Sequence, residues 1–385
     1  MLDTTSELIS RLLRDTVVEL DIPLELHQAA TREYERVGNW LAANADGHSG
    51  WVVHPQGSFL LNTVVLPAGS DEYDVDTVCR REITKESTTQ AKLKHEVGDV
   101  LSDYIAAHRQ LPDGPKGRKE RKRCWTLGYP HSLRFHLDVL PAVANTDAGP
   151  TAILITDREL RAWQFSDPLA FAAWFKRQAE AEYVAKRVRL AEAARTAPEA
   201  IPEREIKTTL HRVVQVLKLH RNEHFRDDLD ARPASILVTT LAAHAYRGEQ
   251  DLYEAVLDAV ELMPQYVQHS ADGPLVPNPV EPRENFADRW RHHPQLATRF
   301  FGWLEQVGED LRDAESHRGL DKVAVRLSKS FGEHPVDKAV GRLGDTYRQT
   351  RENGRLGFAG TSGLLSTTGA IPVRNHDFYG DGGRP

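Results

Sequence analysis

Two acids separated by one residue stand in the apolar, strand-like segment Tyr73-Asp74-Val75-Asp76-Thr77-Val78. Side chains of an extended chain alternate, so Asp74 and Asp76 project from one face and Val75 from the other. Like charges that close repel each other, and a purely structural strand gains nothing from them. A divalent cation removes the conflict, because Mg²⁺ prefers carboxylate oxygens, water and phosphate. Taken alone, the segment fits a solvent-facing edge strand just as simply. A third acid, Asp138, interrupts the apolar run Phe135-His136-Leu137-Asp138-Val139-Leu140. A carboxylate buried there is costly unless it is paired or metal-bound, and pairing with a nearby basic run is the structural alternative. Upstream, Gly57-Ser58 separates Trp51-Val52-Val53 from Phe59-Leu60-Leu61. A Gly-Ser step that leaves a strand and opens a helix presents N–H groups and a hydroxyl to a phosphate; by itself it is a common turn.

Together the three pieces meet one chemical need. Two-metal phosphoryl transfer requires a carboxylate cluster bridging two Mg²⁺ ions, with a triphosphate held opposite. Asp74, Asp76 and Asp138 are therefore the expected catalytic residues and metal ligands, for two Mg²⁺ ions that Mn²⁺ can replace. Gly57 and Ser58 are the expected nucleotide contacts. No GxxxxGK[ST] occurs, so a P-loop does not compete for the role. His220 and His224 stand at i, i+4 within HRNEH, a spacing that suits a metal, but no third ligand is evident and a solvated helix face is the preferred reading.

Elements must bring these residues together. The chain has 385 residues, enough for one bilobal unit or two domains. Residues 1–45 read as helical, with Leu8, Leu12, Leu13, Val17 and Leu20 at helical spacing and Pro23 as a break. Short strands at 51–53, 73–78 and 133–140 surround a polar helix near 85–109. Beyond Asp167 helices are expected at 167–195, 203–225, 233–247, 250–263, 284–306 and 335–352. Residues 354–385, rich in Gly, Ser and Thr, are expected to be a flexible tail. The fold class is thus α+β: a small mixed sheet packed against a larger helical lobe. The boundaries are 1–165, 166–353 and 354–385.

Composition narrows the partners. Net charge is −7, against a chain whose main partner is duplex nucleic acid. The densest basic cluster, KGRKERKR (Lys116 to Arg123), reads alone as a solvated loop; its nearness to Asp138 raises the alternative of a positive wall beside phosphates. No N-terminal stretch reads as a signal peptide, no run is apolar for long enough to span a bilayer, and Cys79 and Cys124 are the two cysteines, with no CxxC. A cytoplasmic protein without a disulfide framework or cysteine-based zinc site is expected.

The segments HPQGSFLLNTVV, YDVDTVCR and FHLDVLPAV resemble the DNA polymerase β-type nucleotidyltransferase superfamily, and more narrowly the bacterial cGAS/DncV-like nucleotidyltransferases (CD-NTases) of CBASS antiphage systems. WFKRQAE, VVQVLKLHRNEHF, RPASILVTTLAAHAY and NPVEPRENFADRW extend the resemblance over most of residues 1–350. It implies a polymerase β-like core and a template-independent synthesis of a cyclic di- or trinucleotide messenger from ATP and other nucleoside triphosphates. The diffusible product would activate a separate effector in antiviral defence. A nucleotidyltransferase that modifies an RNA or protein acceptor, or makes linear oligonucleotides, is the alternative. The resemblance also implies that Ser58 contacts the donor triphosphate, that Lys218 reaches it from a helix, and that Ser235 adds a phosphate contact. The zinc-binding insertion of animal cGAS is missing, and with it the main argument for a duplex DNA activator. Some relatives are joined through a C-terminal glycine by a ubiquitin-transfer-like partner. Here the chain ends Gly380-Asp381-Gly382-Gly383-Arg384-Pro385, so conjugation would need trimming first; a plain flexible terminus is the preferred reading.

Overall fold

The computed structural model describes residues 4–44, 50–67, 71–156, 162–271, 273–360, 364–366 and 371–373. Helix α1 (Thr5–Val18) starts at a capping box, in which Thr4 accepts from the Glu7 amide and Glu7 accepts from the Thr4 amide. α2 (Leu24–Asn44) follows the break at Pro23. Then come β1 (Trp51–Pro55), the one-turn α3 (Gly57–Leu60), β2 (Tyr73–Arg81), α4 (Gln90–His108), β3 (Gly117–Glu120), β4 (Trp125–Gly128), β5 (Phe135–Ala144), β6 (Ile153–Thr156) and β7 (Trp163–Ser166). The helical part comprises α5 (Pro168–Arg177), α6 (Glu180–Ala194), α7 (Thr209–His224), α8 (Ser235–Ala245), α9 (Leu252–Leu262), α10 (Gln295–Ser316), α11 (Leu320–Phe331) and α12 (Glu333–Glu352).

The strands form one mixed sheet in the order β1-β2-β5-β4-β3. β2 and β5 run parallel, and β1 flanks β2 antiparallel. The far edge of β5 is shared: β4 pairs with its first half and β6, followed by β7, with its second. One apolar cluster joins the sheet to α2 and α4 through Val75, Leu137, Val37, Leu93 and Val97. A larger one lies among α1 and α7 to α12, around Leu12, Leu217, Trp303 and Phe331. α1 thus packs with the C-terminal helices, although the sequence reading groups it with residues up to 165. Its apolar stripe finds its partner surface on α9 and α12. Among the described residues, no helix is long and apolar enough to cross a membrane.

Three expectations need correction. The helix placed at 284–306 begins at Gln295, because residues 276–286 close a loop in which Asn278 donates to the Glu284 carbonyl and Phe286 to that of Val276. α11 lies between the helices expected at 284–306 and 335–352, where none was placed; its Val323, Leu327 and Phe331 are buried at helical spacing. The tail, as far as it is described, forms three two-residue strands (Gly357–Phe358, Leu365–Ser366 and Ile371–Pro372), with Leu356, Ala359 and Ser366 buried. Leu364 packs on the helical core, which gives this polar stretch an anchor. The terminal Gly-Gly reading lies outside the described residues.

α4 approaches the sheet closely at Gly98. A Cβ there would stand 2.4 Å from Cζ2 of Trp125, whose indole N–H donates to the Lys94 carbonyl at 2.9 Å. Gly98→Ala, despite the better helix propensity of alanine, is expected to lower stability by about 1–3 kcal/mol through overpacking. A denaturant midpoint that stays level or rises would show that helix and ring can part without cost.

Candidate active site

The parallel pairing of β2 with β5 brings the acids together. Asp76 is in register with Asp138, and Asp74 with His136. Period-two alternation puts all four side chains on one face. Each acid is held differently. Asp138 accepts a hydrogen bond from Thr126 Oγ1 on β4 at 2.6 Å. Asp74, 68% exposed, is paired at 2.7 Å with Nε2 of His136. That hydrogen bond holds the Asp74 carboxyl below the usual carboxylate range and lifts the imidazole to about 9. Asp76 has no such partner. Burial, and then the charges of Asp74 and Asp138, push its pKa up to about 7.

Gly57 explains where the Asp76 carboxylate can go. Its φ of +61° is in the left-handed region, and a Cβ on it would lie 2.6 Å from Oδ2 of Asp76. The Gln56 amide meanwhile donates to the Asp76 carbonyl at 2.8 Å, tying the turn to the strand. On the other side of the turn, Lys218 from α7 is 3% exposed. Its ammonium donates to Ser58 Oγ at 2.8 Å and to the Thr63 carbonyl at 3.0 Å. Burial, then the nearby Arg221 charge, pulls the Lys218 pKa down to about 7. Gly57, Ser58 and Lys218 therefore converge beside Asp76. Ser235 does not join them: it opens α8 and accepts from Arg221 at 3.0 Å, while its neighbours Ala234 and Ile236 face the cleft.

That cleft, of about 630 Å³, is lined by Gln56, Gly57 and Asp76 at one end and by residues of β7 and of the 278–289 segment elsewhere. Of the basic run, Arg123 lines it, and Arg232, Arg283 and Arg289 add further cations. Arg118, by contrast, lies over the Trp125 ring at 4.0 Å. His136 was missed as a site residue, although its place two residues before Asp138 in an extended run signals the shared face. Arg232 and Glu284 gave no signal of that kind. The HRNEH pair divides: His224 is exposed, in keeping with a solvated face, whereas His220 is 1% exposed, accepts from Trp303 Nε1 at 3.0 Å and pairs with Asp310, a buried structural role.

Residues 52–141, which contain the Gly-Ser turn and all three acids, match the family described as "Cyclic GMP-AMP synthase DncV-like, nucleotidyltransferase domain". Residues 52–141 thus carry a DncV-like nucleotidyltransferase domain. The chain is 28% identical over 387 residues to the c-di-GMP synthase of Roseivirga ehrenbergii, a match covering 96% of this chain and 97% of that one. The CdnG structure from Bradyrhizobium diazoefficiens, solved in complex with GTP, shares the fold with a TM-score of 0.69 at 22% identity, over 87% of this chain and 99% of that one. Vibrio cholerae DncV, solved with the linear intermediate pppA(3′,5′)pG, gives 0.52 at 16% identity, over 87% and 89%. Both likenesses are of the overall fold.

Among the described residues, no three His, Cys, Asp or Glu side chains stand as a ready metal cage. For a nucleotidyltransferase that is compatible with the donor set. Mg²⁺ in phosphoryl-transfer sites takes one or two carboxylates and completes its octahedron with water and substrate phosphate. The in-register acids supply hard oxygens of that kind, so the residues fit the ion.

The contact between Gly57 and Asp76 yields a test. Gly57→Ala should cut nucleotidyl transfer by about 100-fold, since a displacement of about 1 Å in a positioning group has that effect. Pyrophosphate release at saturating triphosphate measures it, and turnover close to the parent enzyme would contradict the assignment.

Proposed function

We propose that this nucleotidyltransferase joins nucleoside triphosphates, without a template, into a cyclic dinucleotide. The observation that carries the reading is the in-register Asp76–Asp138 pair, with Asp74 one alternation away: Asp76 lines the cleft beside Gly57, and Lys218 bonds the adjoining Ser58. The synthases it is similar to, named for c-di-GMP and for cyclic AMP-GMP, support the product class.

In this reading the hydroxyl of one nucleotide attacks the α-phosphorus of another. A P–O bond forms there, the bond to the β-phosphate breaks, and pyrophosphate leaves. A second transfer within the linear intermediate closes the ring. Ser58 Oγ and the Gly57-Ser58 amides bind the donor phosphates, and Lys218 supplies a cation whose charge an arriving triphosphate restores. Asp74, Asp76 and Asp138 would hold two Mg²⁺ ions, or Mn²⁺ in their place, which when bound lower the pKa of the attacking hydroxyl and neutralise charge on the leaving group. Without the ions, the His136 imidazolium offsets the charge of Asp74. The cleft arginines, Arg123 and Arg232 among them, draw the triphosphate in. The diffusible product would then act on a separate effector in antiviral defence.

The test is incubation with all four triphosphates and Mg²⁺, phosphatase treatment and mass spectrometry. A phosphatase-resistant cyclic product is expected, and Asp76→Asn should abolish it while the thermal midpoint stays within a few degrees of the parent. Label appearing only on added RNA or protein would favour an acceptor-modifying enzyme instead. Near-parental turnover by Asp76→Asn would overturn the site.

A further inference from the structure

Glu284 is an acid in the cleft that nucleotidyl transfer, as described above, does not use. It lines the same cavity as Gly57 and Asp76 but belongs to the wall formed by the loop that begins at Val276. The bridge between Pro277 and Asn285 and the amide bond from Asn278 to the Glu284 carbonyl at 2.8 Å close this loop, so the side chain is presented from a fixed backbone. Each of its oxygens is held by one donor: Asn278 Nδ2 lies 2.8 Å from Oε2, and Ser166 Oγ lies 3.3 Å from Oε1. A carboxylate has about four acceptor positions, so roughly two remain for a ligand. Burial pushes the pKa of the group up to about 7, as suits an acid whose acceptor capacity is incompletely met.

Beside Glu284 stands a flat, fixed surface. The Arg283 guanidinium lies 3.6 Å from the centre of the Phe165 ring and is held by Glu281 through two bonds, at 2.7 and 2.6 Å. Planar guanidinium and aromatic groups are what a nucleobase stacks on. The cavity thus offers a phosphate end, at Gly57, and a base end, at Phe165, Arg283 and Glu284.

The nucleobases differ in what they show an acid. Guanine places N1–H and an N2 amino hydrogen side by side, two parallel donors that match two carboxylate acceptors. Adenine and cytosine each set a ring-nitrogen acceptor beside the amino donor, and uracil flanks its one N–H with carbonyls. Against those edges a carboxylate would face at least one acceptor. We infer that Glu284 is the guanine-reading residue of this enzyme, accepting N1–H and N2–H of a base stacked on the Arg283–Phe165 pair, so that GTP is selected over ATP. This assignment rests on the nucleotidyltransferase reading of the cleft and extends it to the substrate.

Equilibrium binding of non-hydrolysable GTP, ITP and ATP analogues to the full chain, with Mg²⁺, tests it for the parent and for Glu284→Gln. Glutamine keeps the size and can still bond Asn278 and Ser166, but turns one acceptor into a donor against guanine. The parent should bind the GTP analogue at least roughly tenfold more tightly than either of the others, ITP lacking the N2 amine. In Glu284→Gln the GTP analogue should weaken roughly tenfold or more, while the ATP analogue moves less than about threefold. A parent without guanine preference, or a variant with an unchanged GTP-to-ATP ratio, would overturn the assignment. Equal loss of both analogues would make Glu284 a loop anchor only, which overturns it too. Failure of the transfer reading would show differently, as no pyrophosphate from any triphosphate even where the GTP analogue binds.

Discussion

Three carboxylates crowded onto two adjacent parallel strands are the constraint on which the rest of the site depends. Asp76 sits opposite Asp138 with Asp74 one alternation away, and none of the three can leave that face without shifting the strand register by one residue. A register slip would expose Val75 and Leu137, both fully buried, so the apolar layer behind the sheet fixes the acids in front of it. The repulsion is visible in how each is treated. Asp74 is neutralised by His136, Asp138 is bonded by Thr126, and Asp76 is left with a raised proton affinity.

Neighbouring elements follow from that crowding. β4 matters because it carries Thr126, and Gly98 lets α4 lie against Trp125 of the same strand. Gly57 leaves the space that the Asp76 carboxylate occupies, which ties the phosphate turn to the acid cluster by van der Waals contact. Lys218 arrives from the helical lobe and bonds Ser58, so a buried cation from one apolar unit meets the turn of the other. A lysine so enclosed costs desolvation, and the arrangement makes physical sense when an anionic ligand is the partner it awaits.

Much of this was legible in the sequence, for identifiable reasons. Alternation marks Asp74 and Asp76 as sharing a face, and the isolated Asp138 stands out in an apolar strand; such short-period patterns survive folding. Helix breaks at Pro23 and the amphipathic stripe of α1 were equally plain, but which surface that stripe covers is a long-range fact. The roles of two acids were invisible in the sequence. Glu284 lies in a stretch whose composition suits a helix, yet backbone bonds from Asn278 and Phe286 hold it as a loop. Asp310 fixes His220, ninety positions away, and thereby converts an apparent metal spacing into core packing. Ser235 shows the converse: its place in the first turn of α8 was read correctly, but Arg221 takes its hydroxyl.

The crowding argument is tested most directly by a crystal structure with Mn²⁺ and a non-hydrolysable GTP analogue, using anomalous scattering to place the ions. The account predicts Mn²⁺ peaks bridged by Asp74, Asp76 and Asp138 and by the triphosphate, with Asp74 drawn from His136 toward the ions. Ions bound elsewhere, with Asp74 still on His136 and no phosphate beside Ser58, would contradict it.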